Sequence, residues 1–155
     1  MKHIEGIDRN QITLMPDAIE DYVSEDNPVR FLDAFVNHLD LKNLGFPRVE
    51  PEAHGRPPYH PGDLLRLYLY GYIYAIRSSR ALEREANRNL EVIWLLKRLA
   101  PDFKTIADFR KSNGKTIHNL CREFIRFCRR SGLFDGELVA WASPHLTDTR
   151  LSLNG

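Results

Sequence analysis

The sequence predicts an all-α protein: a compact bundle of five to six short helices with a helix-turn-helix-like core and an irregular C-terminal tail. Three observations predict it. Apolar residues recur three and four apart over most of the chain, the period of a helix with one buried face. Helix-start residues precede nearly every such stretch, at Asn27-Pro28, His60-Pro61, Ser79, Asn89 and Thr105. A short apolar run that could begin a strand, Leu133-Phe134 and Leu138-Val139-Ala140-Trp141, has no partner strand after it.

At 155 residues the chain is long enough to bury a real core. No stretch approaches a membrane span, and the polar opening MKHIEGIDRN has no signal-peptide core. Two cysteines without a secretory signal point to free thiols in a reducing cytoplasm.

The elements follow in order. Ile12, Leu14 and Met15 make a short apolar patch before Pro16, and Asp17, Glu20 and Asp21 could open a helical turn. Asn27 caps, and Pro28 starts, a helix over about 28–40 with Val29, Leu32, Phe35, Val36 and Leu39 on one stripe. Pro47, Pro51, Gly55, Pro57 and Pro58 forbid helix over 45–60. His54 and His60 in that connector lack the further ligands a metal would need.

His60-Pro61 opens a helix over 61–76 that is apolar nearly all round, which marks it as the central one. Its tyrosines could stack on bases or simply pack with a satisfied hydroxyl. Ser79 can cap the next helix, 79–88. There Arg77, Arg80, Arg84 and Arg88 align on one face opposite Leu82 and Ala86. Pairing with Glu83, Glu85 or Glu91 would account for some of these arginines but not for a row of four. Asn89 can cap a short helix over 90–99, with Val92, Ile93, Leu95, Leu96 and Leu99 as core and Ala100-Pro101 as its stop.

Thr105 and Asp108 then have the form of a capping box for a helix over 104–113. Ile106 and Phe109 face the core, while Arg110, Lys111 and Asn113 can project outward. A helix with Lys104 and Thr105 at its amide end and Arg, Lys and Asn along one side suits a major groove. Gly114 is expected to interrupt it, with Lys115 just beyond. Thr116 can cap a last helix whose apolar side is Ile117, Leu120, Cys121, Phe124, Phe127 and Cys128, and whose basic side is Arg122, Arg126, Arg129 and Arg130. It stops at Ser131-Gly132. Cys121 and Cys128 lie two turns apart, too far for a disulfide, and are expected as buried thiols.

Charge is unevenly placed. Residues 1–55 hold 5 basic and 11 acidic residues, whereas residues 56–132 hold 16 and 7. A basic middle of this size attracts phosphate backbones. The expected organisation is a lead-in with one helix (1–54), a helical DNA-binding domain (55–132) and a tail without regular structure (133–155). The candidate DNA-binding residues are Arg77, Arg80, Arg84, Arg88, Lys104, Thr105, Arg110, Lys111, Asn113 and Lys115. Neither a glycine-rich phosphate loop nor zinc-ligand spacing nor a catalytic constellation is legible.

Three runs carry a family likeness: YHPGDLLRLYLYGYIYAIRSSRALEREANRNLEVIWLL, LAPDFKTIADFRKSNGKTIHNLCREFIRFCR and, more weakly, GLFDGELVA. Together they resemble the N-terminal region of bacterial insertion-sequence transposases of the InsH-like type. The resemblance implies a helical module that recognises the terminal inverted repeats of the element, with double-stranded DNA as partner and a second copy or full-length transposase as a further one. It implies a cytoplasmic, nucleoid-associated protein. In such transposases a ribonuclease-H-like domain follows, with an Asp-Asp-Glu set and divalent metal. After Glu137-Leu138-Val139-Ala140 that family continues into a strand bearing its first catalytic Asp, whereas this chain reads Trp141-Ala142-Ser143-Pro144-His145. Asp148 is out of register for that role. The expectation is therefore a transposase truncated before its catalytic domain, with no cofactor and no enzyme activity of its own. The alternative is a helical interaction module that joins or inhibits full-length transposase.

Overall fold

The computed structural model describes residues 6–12, 14–15, 17–50 and 58–132. Among them the chain forms a 3-10 turn, Ile19–Tyr22, and five helices: α1 Pro28–Asn37, α2 Pro61–Ile73, α3 Ser79–Arg88, α4 Leu90–Leu95 and α5 Phe103–Ser131. No strand occurs among the described residues, and the all-α expectation holds. His54 and the 133–155 tail lie outside them.

α2 is the centre of the bundle. Eleven of its 13 residues are buried, so every side of it meets a neighbour. Its proline sits at the first helical position and His60 caps it, the imidazole accepting from the Gly62 N–H at 3.1 Å. The helix ends at Ile73, three residues before the expected Ile76. Ala75 takes left-handed φ of 57°, and the Ile76 N–H folds back to the Gly71 carbonyl at 2.7 Å. Gly71 makes that return possible. A Cβ there would stand 2.7 Å from the Ile76 carbonyl oxygen and 2.9 Å from Leu82 Cδ2.

α1 follows its cap as read, with the Asn27 side chain accepting from the Val29 N–H at 3.0 Å. Val29, Leu32 and Val36 are buried against α2, and the helix stops at Asn37 rather than near 40. α3 is capped by Ser78, not by Ser79. Asn89 both ends α3 and caps α4, accepting from the Glu91 N–H at 3.0 Å. α4 stops at Leu95 because Lys97 and Arg98 turn the chain with φ of 52° and 65°. Leu99 is consequently 38% exposed and is not core.

The largest departure from expectation is α5. Residues 103–131 form one helix of 29 residues, about 42 Å long at 1.5 Å per residue. Gly114 does not end it, and Thr116 lies within it rather than capping a new one. The only non-helical backbone is at Asn113, φ −129° and ψ 16°, where the helix kinks. The Asn113 side chain donates to the Phe109 carbonyl at 3.0 Å, which satisfies an acceptor at the kink. Past the kink, Ile117, Leu120, Cys121, Phe124, Ile125 and Cys128 are buried. Phe124 meets Phe35 of α1 edge-on at 5.0 Å, while Phe127, expected in the core, is 41% exposed.

Candidate nucleic-acid interface

The packing of α3 on the first turns of α5 assembles the predicted basic residues. Leu82 and Ala86 bury one side of α3, so Arg80, Arg84 and Arg88 are left on its outer side. Ile106 is fully buried on α5, and Tyr68 of α2 donates its hydroxyl to the Ile106 carbonyl, which pins this part of α5 to the core. Burial pushes the Tyr68 hydroxyl up to about 12, so it remains a donor throughout the ordinary pH range. Phe109 stacks between Phe46 and Tyr68, with ring centroids 5.8 and 6.0 Å away. With those two positions inward, Lys104, Arg110 and Lys111 face out.

Two contacts join the two helices at the surface. The Arg80 guanidinium lies 4.0 Å from the centre of the Phe103 ring. Arg110 donates through Nη1 to the Arg77 carbonyl at 3.0 Å. These contacts bring Arg77, Arg80 and Arg110 to the junction of the two helices, with Lys104 and Lys111 exposed on the same turns of α5 and Arg84 one turn further along α3. Arg88, a further turn on, is paired with Glu85 in a forked contact. Glu85 is held below the ordinary carboxylate range, first by the Asn89 amide and then by Arg88. That arginine fits the pairing explanation rather than the row.

The remaining predicted residues divide. Lys115 is exposed beyond the kink. Asn113 is half-buried with its amide committed to its own helix, so it is not presented outward in this arrangement. Thr105 is half-buried and is not the helix cap. Asp102 is: its carboxylate accepts from the Thr105 N–H at 2.7 Å. That bond lowers the Asp102 pKa. The amide end of α5 already holds an anion, so it is not an open phosphate cradle.

Sequence reasoning missed Asp102 and Phe103. Asp102 could have been found, since Asp caps as well as Thr and stands three residues before the Thr105 amide it satisfies. Phe103 gave no local signal, because its role as a platform for Arg80 depends on how α3 crosses α5.

His60 is a helix cap, and among the described residues no group of three or more His, Cys, Asp or Glu is placed to hold a metal ion. Nor is any described helix long and apolar enough to cross a membrane.

No curated protein and no solved structure matches the chain. A family model described as a transposase domain (DUF772) matches residues 17–112. That span takes in α1 to α4 and the first part of α5, including the surface where α3 and α5 meet. With well over half of its residues matched, the chain belongs to this transposase-domain family.

Proposed function

We propose that the chain is a DNA-recognition module of an insertion-sequence transposase, binding the terminal inverted repeats of its element. The observation that carries this reading is the shared outer surface of α3 and α5. Six cations, Arg77, Arg80, Arg84, Lys104, Arg110 and Lys111, are exposed there against four acids, Glu83, Glu85, Asp102 and Asp108, of which Glu85 is paired with Arg88 and Asp102 caps α5. On a transposase-family domain, such a surface matches the sugar–phosphate backbone in charge. In this reading α4, the 96–102 turn and the first turns of α5 act as a helix-turn-helix-like unit. Arg110 and Lys111 approach base edges, and Arg80 and Arg84 hold phosphates. Strand cleavage and transfer are assigned to a separate catalytic domain of the InsH-like kind, not to residues 17–132.

Fluorescence anisotropy with a duplex of about two helical turns tests the proposal. The duplex is one the chain selects from a random pool, with a random duplex of equal length as competitor. Arg84→Ala and Lys111→Ala should each weaken binding and flatten the log–log salt dependence by about 1. Arg88→Ala, already paired with Glu85, should change little. Arg110→Ala should also narrow the gap between selected and random DNA, by about 1–3 kcal/mol. If Arg84→Ala and Lys111→Ala bind as tightly as the parent chain while Arg88→Ala does not, the surface is wrongly assigned.

A further inference from the structure

Past Lys115 the outer side of α5 is a line of positive charge that the α3–α5 surface does not include. At about 100° per residue, Lys115, Arg122, Arg126 and Arg129 fall within about 40° of one line, and Arg130 flanks it. Ile117, Leu120, Cys121, Phe124, Ile125 and Cys128 occupy the opposite, buried side. Lys115, Arg126, Arg129 and Arg130 are exposed, and Arg122 is half-buried. Glu123 is the single acid between residues 114 and 131.

A solvated helix face ordinarily mixes signs at spacings of three and four, because opposite charges there support the helix. Here Glu123, three residues before Arg126, is the one opposite charge, and the rest of the line repeats the same sign. Arg122 and Arg126 are four apart, as are Arg126 and Arg130, and at that spacing like charges destabilise a helix. Among the described residues, Lys115, Arg126 and Arg130 make no ion pair to relieve it. The dipole at the helix end accounts for Arg129 and Arg130, which lie in the last turn. It does not reach Lys115, Arg122 or Arg126, which stand further back.

A second observation comes from the junction with α2. The Arg122 Nε–H and the Tyr72 hydroxyl are both shut off from solvent without a hydrogen-bond partner. Burial, then the Cys121 thiol, push the Tyr72 hydroxyl up, and Arg122 and Arg129 oppose them. Two arginines and a hydroxyl thus gather at this edge of the stripe.

We infer that residues 115–130 of α5 are a second phosphate-binding surface, which holds the DNA backbone beside the recognised site without reading sequence. The inference rests on the DNA-binding reading above. The stripe is about 22 Å long, enough to meet several phosphates of one duplex, and the Asn113 kink sets its angle to the first surface. Its apolar side is spent in the core, so the helix cannot lie in a lipid interface as a basic amphipathic helix would.

The test is the full chain carrying Lys115→Gln, Arg126→Gln and Arg130→Gln together. All three positions are exposed, and unchanged thermal melting confirms the fold. Binding is measured to the selected and the random duplex between about 50 and 200 mM salt. The variant should lose at least tenfold in affinity at the low end, equally for both duplexes. Its salt slope should fall by about 2–3, and the selected-to-random ratio should stay as in the parent chain. Parental affinity and slope in the triple variant would overturn the inference while leaving the α3–α5 reading intact. A loss confined to the selected duplex would overturn it too, since the stripe would then read sequence. A parent chain that binds neither duplex, or binds only vesicles rich in phosphatidylserine, would remove both readings.

Discussion

Arg66 carries its charge to within a few per cent of full burial and finds partners on two helices. Its Nε donates to Asp33 of α1 at 2.7 Å, its Nη1 to Asp63 one turn earlier at 3.3 Å, and its Nη2 to Asn37. Removing the guanidinium leaves two carboxylates facing each other in a partly dry site. Arg66→Leu should therefore cost on the order of 3 kcal/mol of stability, measured by urea unfolding. Adding Asp33→Leu should recover a large part of that loss, and no recovery would show that the pairing is not what α1 rests on. The sequence could not announce this site. Arg66 reads as an interruption in an apolar helix, and its partner stands 33 residues earlier, across a connector. The caps at Asn27, His60 and Asn89 were legible because cap chemistry acts over two or three residues. The same locality misled at Thr105 and Ser79. A second competent cap stood close by in each case, and only the entry direction of the chain chose between them.

Among the elements, α2 and α5 set what the others can do. The turn after α2 brings Ile76 and Leu82 against Gly71, so any side chain there must displace backbone, not a movable tip. Gly71→Ala should destabilise by about 1–3 kcal/mol despite its better helix propensity. A thermal melt that shows stabilisation would mean the return turn is looser than 2.7 Å implies. In α5 a glycine does not mark a helix end. Gly114 has open space around it and no positive φ, so nothing stops the helix passing through, and the core stripe beyond it holds the helix in place.

The buried cysteines of α5 also give it a pH signature. Burial raises both thiols, Cys121 and Cys128, to about 12. Unfolding lets them ionise near the ordinary thiol value of about 8.5, so the folded state binds more protons between those values. Stability should then fall as pH rises from about 8.5, before Tyr68 contributes above about 10. Replacing both cysteines by alanine should flatten this fall in a series of melting curves. An unchanged slope would show that the thiols are not responsible.

Over the whole molecule, acid and base are separated along the chain, and folding keeps them apart in role. Acidic residues of the lead-in serve internal contacts: Glu20 accepts from the Trp94 indole and pairs with Arg30. Most basic residues of α3 and α5 instead end on the outside, and Arg88 pairs there with Glu85. The helical bundle and the basic row were legible because period and charge are properties of neighbouring residues. The way α3 lies across α5, the occupied amide end at Asp102 and the unbroken length of α5 depend on packing between distant segments. The transposase-family match over residues 17–112 gives this surface its setting, and DNA recognition is the claim built on it. The most direct measurement of that claim is the affinity of the parent chain for the selected duplex against the random one, across a salt series. The account predicts a preference of at least tenfold that survives rising salt, on top of a steep loss of binding to both. Equal affinity for the two duplexes at every salt concentration would contradict it.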